Sequence, residues 1–243
     1  MLSTLLLLAT FIVLGVPIAI VGIPYTLVTG DITWMYRRGM ATANLGVRAA
    51  GLRITRTGLD NIPPAQACIF MANHVSNLDP PVLLPLIPGR ITVMLKKSLM
   101  SIPLLGRAMR MAKFIPVERG HAREAARASV AQAAEALAQG LHLVVFPEGT
   151  RSPSGRLATF KKGPFFLARE TNAPVVPVAI VGTERALAKN AFRIRRGPVS
   201  LHFLPPLHPQ DFATREDLMA AVHAAMAAAL PPAMQPHPSG PAA

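Results

Sequence analysis

The sequence predicts an α/β protein with a mixed, mostly parallel central sheet flanked by helices, preceded by a hydrophobic, membrane-anchoring helical segment. Three observations carry that prediction. From residue 52 onward, short apolar runs of strand length alternate with helix-forming stretches. The run Ile69-Phe70-Met71-Ala72 turns abruptly into the polar loop Asn73-His74-Val75-Ser76-Asn77, the pattern of a buried strand that delivers side chains to a sheet edge. Residues 1–30 contain no charged side chain.

That N-terminal stretch is apolar almost without break from Leu5 to Leu14 and again through Ile18, Ile20, Val21, Ile23 and Leu27. As a helix, residues 2–28 would measure about 40 Å, enough to cross a bilayer with tilt. Pro17 and Pro24 each remove a backbone hydrogen bond and favour a kink. Two arrangements follow. One is a single kinked transmembrane helix. The other is a pair of helices entering one leaflet, the second being the amphipathic stretch 32–52 with Trp34 and Tyr36 at the interface. A cleaved signal peptide fits less well, because no Lys or Arg precedes the apolar run and no Ala-x-Ala site follows it. Arg37, Arg38, Arg48, Arg53 and Arg56 come next, and the positive-inside rule places the main domain on the cytoplasmic side of the inner membrane.

The remaining chain reads as strands over 52–57, 66–72, 91–95, 113–117, 142–146, 175–181 and 199–204. Helices are expected over 81–86, 98–109, 122–139 and 164–171, with Gly140 stopping the Ala-rich third one. Thr214-x-x-Asp217 reads as a capping box that starts a last helix to Leu230. Residues 231–243, with five prolines and no charge, read as a disordered tail. The chain therefore divides into anchoring helices (1–51), an α/β domain (52–230) and the tail.

Composition excludes several functions. Hydrophobic residues make up 51% and charged residues only 15%, so the chain is greasier than an ordinary soluble domain. The formal net charge is +13, and between Arg90 and Arg127 nine Lys or Arg face only Glu118 and Glu124. Such a basic stretch suits anionic head groups or a phosphorylated or acidic substrate. With Phe114 the one aromatic interleaved, it does not suit a stacking platform for nucleic acid. Cys68 is the sole cysteine and sits in an apolar run, so it reads as a buried structural thiol. No Cys/His cluster has zinc-ligand spacing, and no metal site is expected. Ser76 and Ser152 lie outside any Gly-x-Ser-x-Gly elbow, which removes the serine-hydrolase reading.

The chemistry that suits the polar loop is general-base catalysis by His74, with Asp79 fixing its tautomer. Five residues apart on one helix the two would diverge by about 140°, so the chain must fold back between them. Asp79 is also suited to cap a helix, with Pro80 in the first turn. Taken alone, the pair equally describes a surface loop with a helix-capping aspartate.

The surrounding residues add a family resemblance. Asn73-His74-x4-Asp79 resembles the first signature block of the glycerolipid acyltransferases, and Phe114-Ile115-Pro116-Val117-Glu118-Arg119 the second. Phe146-Pro147-Glu148-Gly149-Thr150-Arg151-Ser152 is similar to the third block and Val175-Val176-Pro177-Val178 to the fourth, in the family's order. Two departures stand in the second block, where Met111-Ala112 occupies the usual glycine position and Glu118 replaces the usual aspartate.

The resemblance implies transfer of an acyl chain from acyl carrier protein or coenzyme A to a lysolipid such as 1-acylglycerol 3-phosphate, with no cofactor beyond the thioester donor. It implies that Arg151 and Arg119 hold the acceptor phosphate, a task suited to guanidinium groups. Lys97 is a third candidate, at a position where the family often carries a basic residue. Glu148 would bind the acceptor or pair with an arginine, Gly149 would permit close backbone approach, and Thr150 would offer a hydroxyl and an N–H. Asn73 would either orient the loop or assist the oxyanion.

Overall fold

Seven strands form one sheet in the computed structural model, which describes residues 1–117 and 123–237. They are β1 Leu52–Thr57, β2 Ile69–Ala72, β3 Ile91–Lys96, β4 Ile115–Val117, β5 His142–Val145, β6 Val175–Val181 and β7 Gly197–Phe203, in the spatial order β1-β7-β6-β2-β5-β3-β4. Neighbours are parallel except β6 and β7. The edge at which β2, β3, β5 and β6 end is therefore the edge at which β1 and β7 begin. The mixed, mostly parallel sheet expected from the sequence is present.

The helices are α1 Leu2–Thr29, α2 Thr33–Ala49, α3 Asp79–Leu83, α4 Leu105–Met111, α5 Arg123–Ala138, α6 Gly163–Thr171, α7 Thr183–Ala186 and α8 Arg215–Ala229. Strand alternation divides the core in two. Phe70, Ala72, Val144, Val176 and Val178 face α2 and α3 through Val47, Ala50, Val82 and Leu83. Ile69, Met71, Leu143, Val145 and Val175 face α5, α6 and α8 through Leu137, Phe165, Val222 and Met226. Side chains such as Phe70 and Phe165 are wholly enclosed, each contributing about 1.5–3 kcal/mol by removal from water.

α1 is long and apolar enough to cross a membrane by length and composition. It passes through Pro17 with a π-type turn over Phe11–Gly15, placed where Pro17 has no N–H to return to the carbonyl of Val13. Gly30, at φ 73°, ends it, and α2 packs alongside. Contact is closest where small residues allow it. A Cβ on Gly22 would stand 2.7 Å from Cγ of Met35, and one on Gly46 3.1 Å from a Leu7 methyl. The Tyr36 hydroxyl accepts from the N–H of Ile91 at 3.1 Å, tying α2 to β3. The two helices therefore pack side by side, with the second seated on the domain and Tyr36 turned to the sheet.

Three local expectations fail. The helix expected over 98–109 is broken into a 3₁₀ turn (Lys97–Ser101) and α4. Pro103 keeps Ile102 extended, and the N–H of Leu105 closes a γ-turn onto the Pro103 carbonyl at 2.6 Å around Leu104. The strand expected from 66 begins at Ile69, since the N–H of Cys68 donates to the ring Nδ1 of His142 at 3.0 Å. Residues 231–237, expected to belong to a disordered tail, instead pack against the domain. Met234 is buried in the second core and its carbonyl accepts from Leu157 N–H at 2.8 Å, while Arg156 donates to the carbonyl of Gln235 at 2.9 Å. The capping box at Thr214 and Asp217 is formed.

Candidate active site

β2 carries the chain to the sheet edge, where Asn73 fixes the exit. Its amide group donates to the Ile180 carbonyl at 2.9 Å and accepts from the Ile180 N–H at 2.7 Å. Both polar ends are committed to β6 and the residue is buried, so the Asn73 side chain orients the loop. Of the two roles expected for it, orienting the loop is the one these bonds perform.

Next in the chain, His74 is 14% exposed and stacks on Phe146 with ring centroids 4.2 Å apart. Its Nδ1 lies 2.8 Å from Oδ2 of Asp79. That oxygen also accepts the N–H groups of Val75 and Ser76, each at 2.8 Å, and the other accepts the Thr183 hydroxyl at 2.5 Å. A carboxylate already taking two N–H groups and a hydroxyl is an acceptor, so Nδ1 carries the proton and Nε2 is the basic nitrogen. Nε2 makes no hydrogen bond among the described residues. Asp79 opens α3 as expected, yet it does not cap it. The carboxylate turns back onto the loop and α3 has no side-chain cap.

Glu148 closes the loop from the other side. It is buried, with Oε1 accepting from His74 N–H at 2.7 Å and Oε2 from Ala158 N–H at 3.1 Å. Both oxygens hold backbone, so Glu148 positions His74, and it pairs with no arginine among the described residues. Burial pushes its carboxyl up to about 7, with the nearby Asp79 charge acting the same way and the two backbone donors opposing.

A pH dependence follows. Folded Glu148 binds its proton near pH 7 and the unfolded chain near the ordinary 4.5, so between those values the folded state holds the extra proton. Its contribution to stability is full below pH 4.5 and is lost as pH rises to about 7, a change of roughly 3 kcal/mol. Glu148→Gln removes this titration. Denaturant unfolding of parent and variant should give a difference in free energy that drifts across this window, and a pH-independent difference would contradict the account.

Gly149, at φ 73°, turns the chain after β5, its N–H bonded to the Phe146 carbonyl at 2.9 Å. Thr150 is exposed, and Arg151 is half-buried with no hydrogen bond or ion pair from its guanidinium among the described residues. Ser152 N–H donates to the His74 carbonyl at 2.8 Å, which joins the Arg151 loop directly to the histidine. Lys97 opens the 3₁₀ turn after β3 at the same sheet edge, and it is exposed. Arg119 and the neighbouring Glu118 lie outside the described residues.

Thr183 and Phe146 escaped the sequence reading. The one available signal for Thr183 was its place just beyond the end of a buried strand. Cys68 is buried and its thiol is pushed up to about 11 by desolvation, so it is no nucleophile.

An imidazole held by a carboxylate at the C-terminal edge of parallel strands is the equipment of a general-base α/β enzyme. The chain belongs to the acyltransferase family, whose model, described as Acyltransferase, matches residues 53–181. It is 34% identical over 171 residues to the 1-acyl-sn-glycerol-3-phosphate acyltransferase of Limnanthes douglasii, covering 69% of this chain and 60% of the relative. It is 32% identical over 150 residues to the protein of that name from Borreliella burgdorferi, covering 62% and 60%. In both comparisons the chain spans about 60% of the relative's length. Among solved structures, the 1-acyl-sn-glycerophosphate (LPA) acyltransferase of Thermotoga maritima superposes with a TM-score of 0.76, at 25% identity over 93% of this chain and 95% of that one.

Proposed function

We propose that this chain moves a fatty acyl group from an acyl carrier protein or coenzyme A thioester to the free hydroxyl of 1-acyl-sn-glycerol 3-phosphate, giving phosphatidic acid. The observation that carries the reading is the His74–Asp79 contact at 2.8 Å, with Arg151, unpaired among the described residues, on the loop bonded to His74. Nε2 of His74 takes the proton of the acceptor hydroxyl as its oxygen attacks the thioester carbonyl. The tetrahedral intermediate collapses with loss of the thiolate, which recovers the proton from the imidazolium. The products are an ester and a free thiol. Asp79 stabilises the imidazolium while it exists.

Arg151 grips the acceptor phosphate, with Lys97 and Arg119 as further cations for acceptor or donor phosphates. Bonds between charged partners are worth about 1.5–3 kcal/mol, so Arg151→Ala should raise the KM for the phosphorylated acceptor roughly 10- to 100-fold. The KM for the thioester should change little.

The membrane is reached through α1, whose side chains Leu5, Leu8, Ile12, Val13, Ile20, Val21, Leu27 and Val28 are exposed. Because α1 lies along α2, which is itself packed on the domain, it enters one leaflet. The arginines from Arg37 to Arg56 support a catalytic domain on the cytoplasmic face of the inner membrane.

The deciding experiment crosses several lysolipid acceptors with acyl carrier protein and coenzyme A thioesters. Lysophosphatidic acid should be the preferred acceptor. Turnover only with another lysolipid, such as a lyso-ornithine lipid, would overturn that identity.

A further inference from the structure

The segment between α7 and β7, residues 187–196, straps the catalytic loops to the apolar helix. At its start the Ser76 hydroxyl donates to the Leu187 carbonyl at 2.7 Å, and the Lys189 ammonium donates to the Arg151 carbonyl at 3.1 Å. At its far end Thr4 of α1 donates its hydroxyl to the Phe192 carbonyl at 3.0 Å and accepts the Ile194 N–H at 2.9 Å. Ile194 is buried in the core, Arg195 N–H donates to the Ala186 carbonyl at 2.8 Å, and the stem of Arg196 lies across Gly51. The backbone is thus fixed on both sides.

Yet this anchored strap holds Phe192 outward, 88% exposed, beside the stretch of α1 that exposes Leu2, Leu5 and Leu8. Its charge is of one sign. Lys189, Arg193, Arg195 and Arg196 occur with no acidic residue between Glu184 and Asp211. The three arginines are exposed, have no acidic partner among the described residues, and line a cavity of about 510 Å³ together with Met1, Leu2 and Ser3. An outward aromatic next to unpaired cations, continuous with an apolar helix face, is complementary to a bilayer interface whose lipids carry negative phosphates.

We propose that residues 189–196 form a second bilayer-docking element, in which Phe192 enters the interface and Arg193, Arg195 and Arg196 pair with anionic lipid phosphates. This deepens the membrane reading above, which rests on α1 alone. Because the strap is bonded to Ser76 and Arg151, docking it fixes the height of the catalytic loops over the head groups.

The test is partitioning of the full chain, diluted from detergent, onto vesicles of phosphatidylcholine alone or mixed with phosphatidylglycerol. The variants are Arg193→Ala/Arg195→Ala, Arg193→Lys/Arg195→Lys, Phe192→Ala and the charge-matched control Arg127→Ala/Lys162→Ala. Each basic side chain near such a surface contributes about fivefold, so the first variant should lose roughly 25-fold in partitioning onto mixed vesicles. It should lose nothing on neutral ones. The lysine pair should restore binding, which also shows that the strap folds, and Phe192→Ala should weaken binding to both compositions.

Equal partitioning of the alanine pair and the control overturns the proposal. So does an equal loss on both kinds of vesicle. A rise in the KM for acyl carrier protein with vesicle binding unchanged assigns the strap to the donor and overturns it as well. Partitioning needs no turnover, so the lipid pattern can hold even if the chain fails to acylate lysophosphatidic acid.

Discussion

His74→Ala should lower acyl transfer by about 10²–10⁴-fold, the usual value of a positioned general base. The fold should survive. Among the described residues the ring is bonded only through Nδ1 and rests on Phe146, and Asp79 would keep Val75, Ser76 and Thr183 as donors. On the proposed mechanism the loss should fall on kcat, because there the imidazole acts on the hydroxyl in the transition state while the cations hold the phosphate. Single-turnover rates with circular dichroism as the folding control would measure it. Near-parental turnover by a folded variant would remove His74 from the chemistry.

Asp79→Asn should be damaging twice over. An amide has one accepting oxygen where the carboxylate has two, and all four of its contacts come from donors or from the protonated ring nitrogen. Its NH2 must face either the pair of loop N–H groups, which cannot accept, or the Thr183 hydroxyl, whose own proton is displaced as the oxygen turns to accept. Each buried donor left unpaired costs about 1–3 kcal/mol, so unfolding should become easier by roughly 2–5 kcal/mol. With the NH2 turned to the loop, the imidazole also loses the acceptor that fixes its tautomer, which in a comparable His–Asp pair lowers kcat by about 10⁴. With the NH2 turned to Thr183, the imidazolium loses its anionic partner. Denaturant midpoints and kcat measured together should show both losses. A variant slow but as stable as the parent would mean that the carboxylate is not the clamp described here.

The parts of the fold legible in the sequence were those governed by neighbours along the chain. β6 has the expected bounds because a continuous apolar run flanked by turn residues has few other uses, and β1 because Leu52-Arg53-Ile54-Thr55 alternates apolar and polar side chains. The edge loop was legible because polar residues follow a buried strand at once. The roles of Asn73 and Glu148 were not. Local chemistry shows that each can bond, but their partners Ile180 and His74 lie 107 and 74 residues away and offer backbone groups that any sequence would carry. Thr183 acts on Asp79 across 104 residues and was invisible for the same reason. The helix break at Pro103 could have been read, since proline disfavours helix at the residue before it. In residues 231–237 the prolines obscured a single core methionine, Met234.

The seating of α2 has a practical consequence. Val47 and Ala50 belong to the main core and Tyr36 caps the start of β3, so the amphipathic helix is a wall of the enzyme as much as its mooring. Truncation before residue 52, the obvious way to obtain a water-soluble fragment, would strip one face of the sheet and leave the N–H of Ile91 without its partner. Solubilisation is better sought by polar replacement of the exposed apolar side chains of α1, which leaves that wall standing.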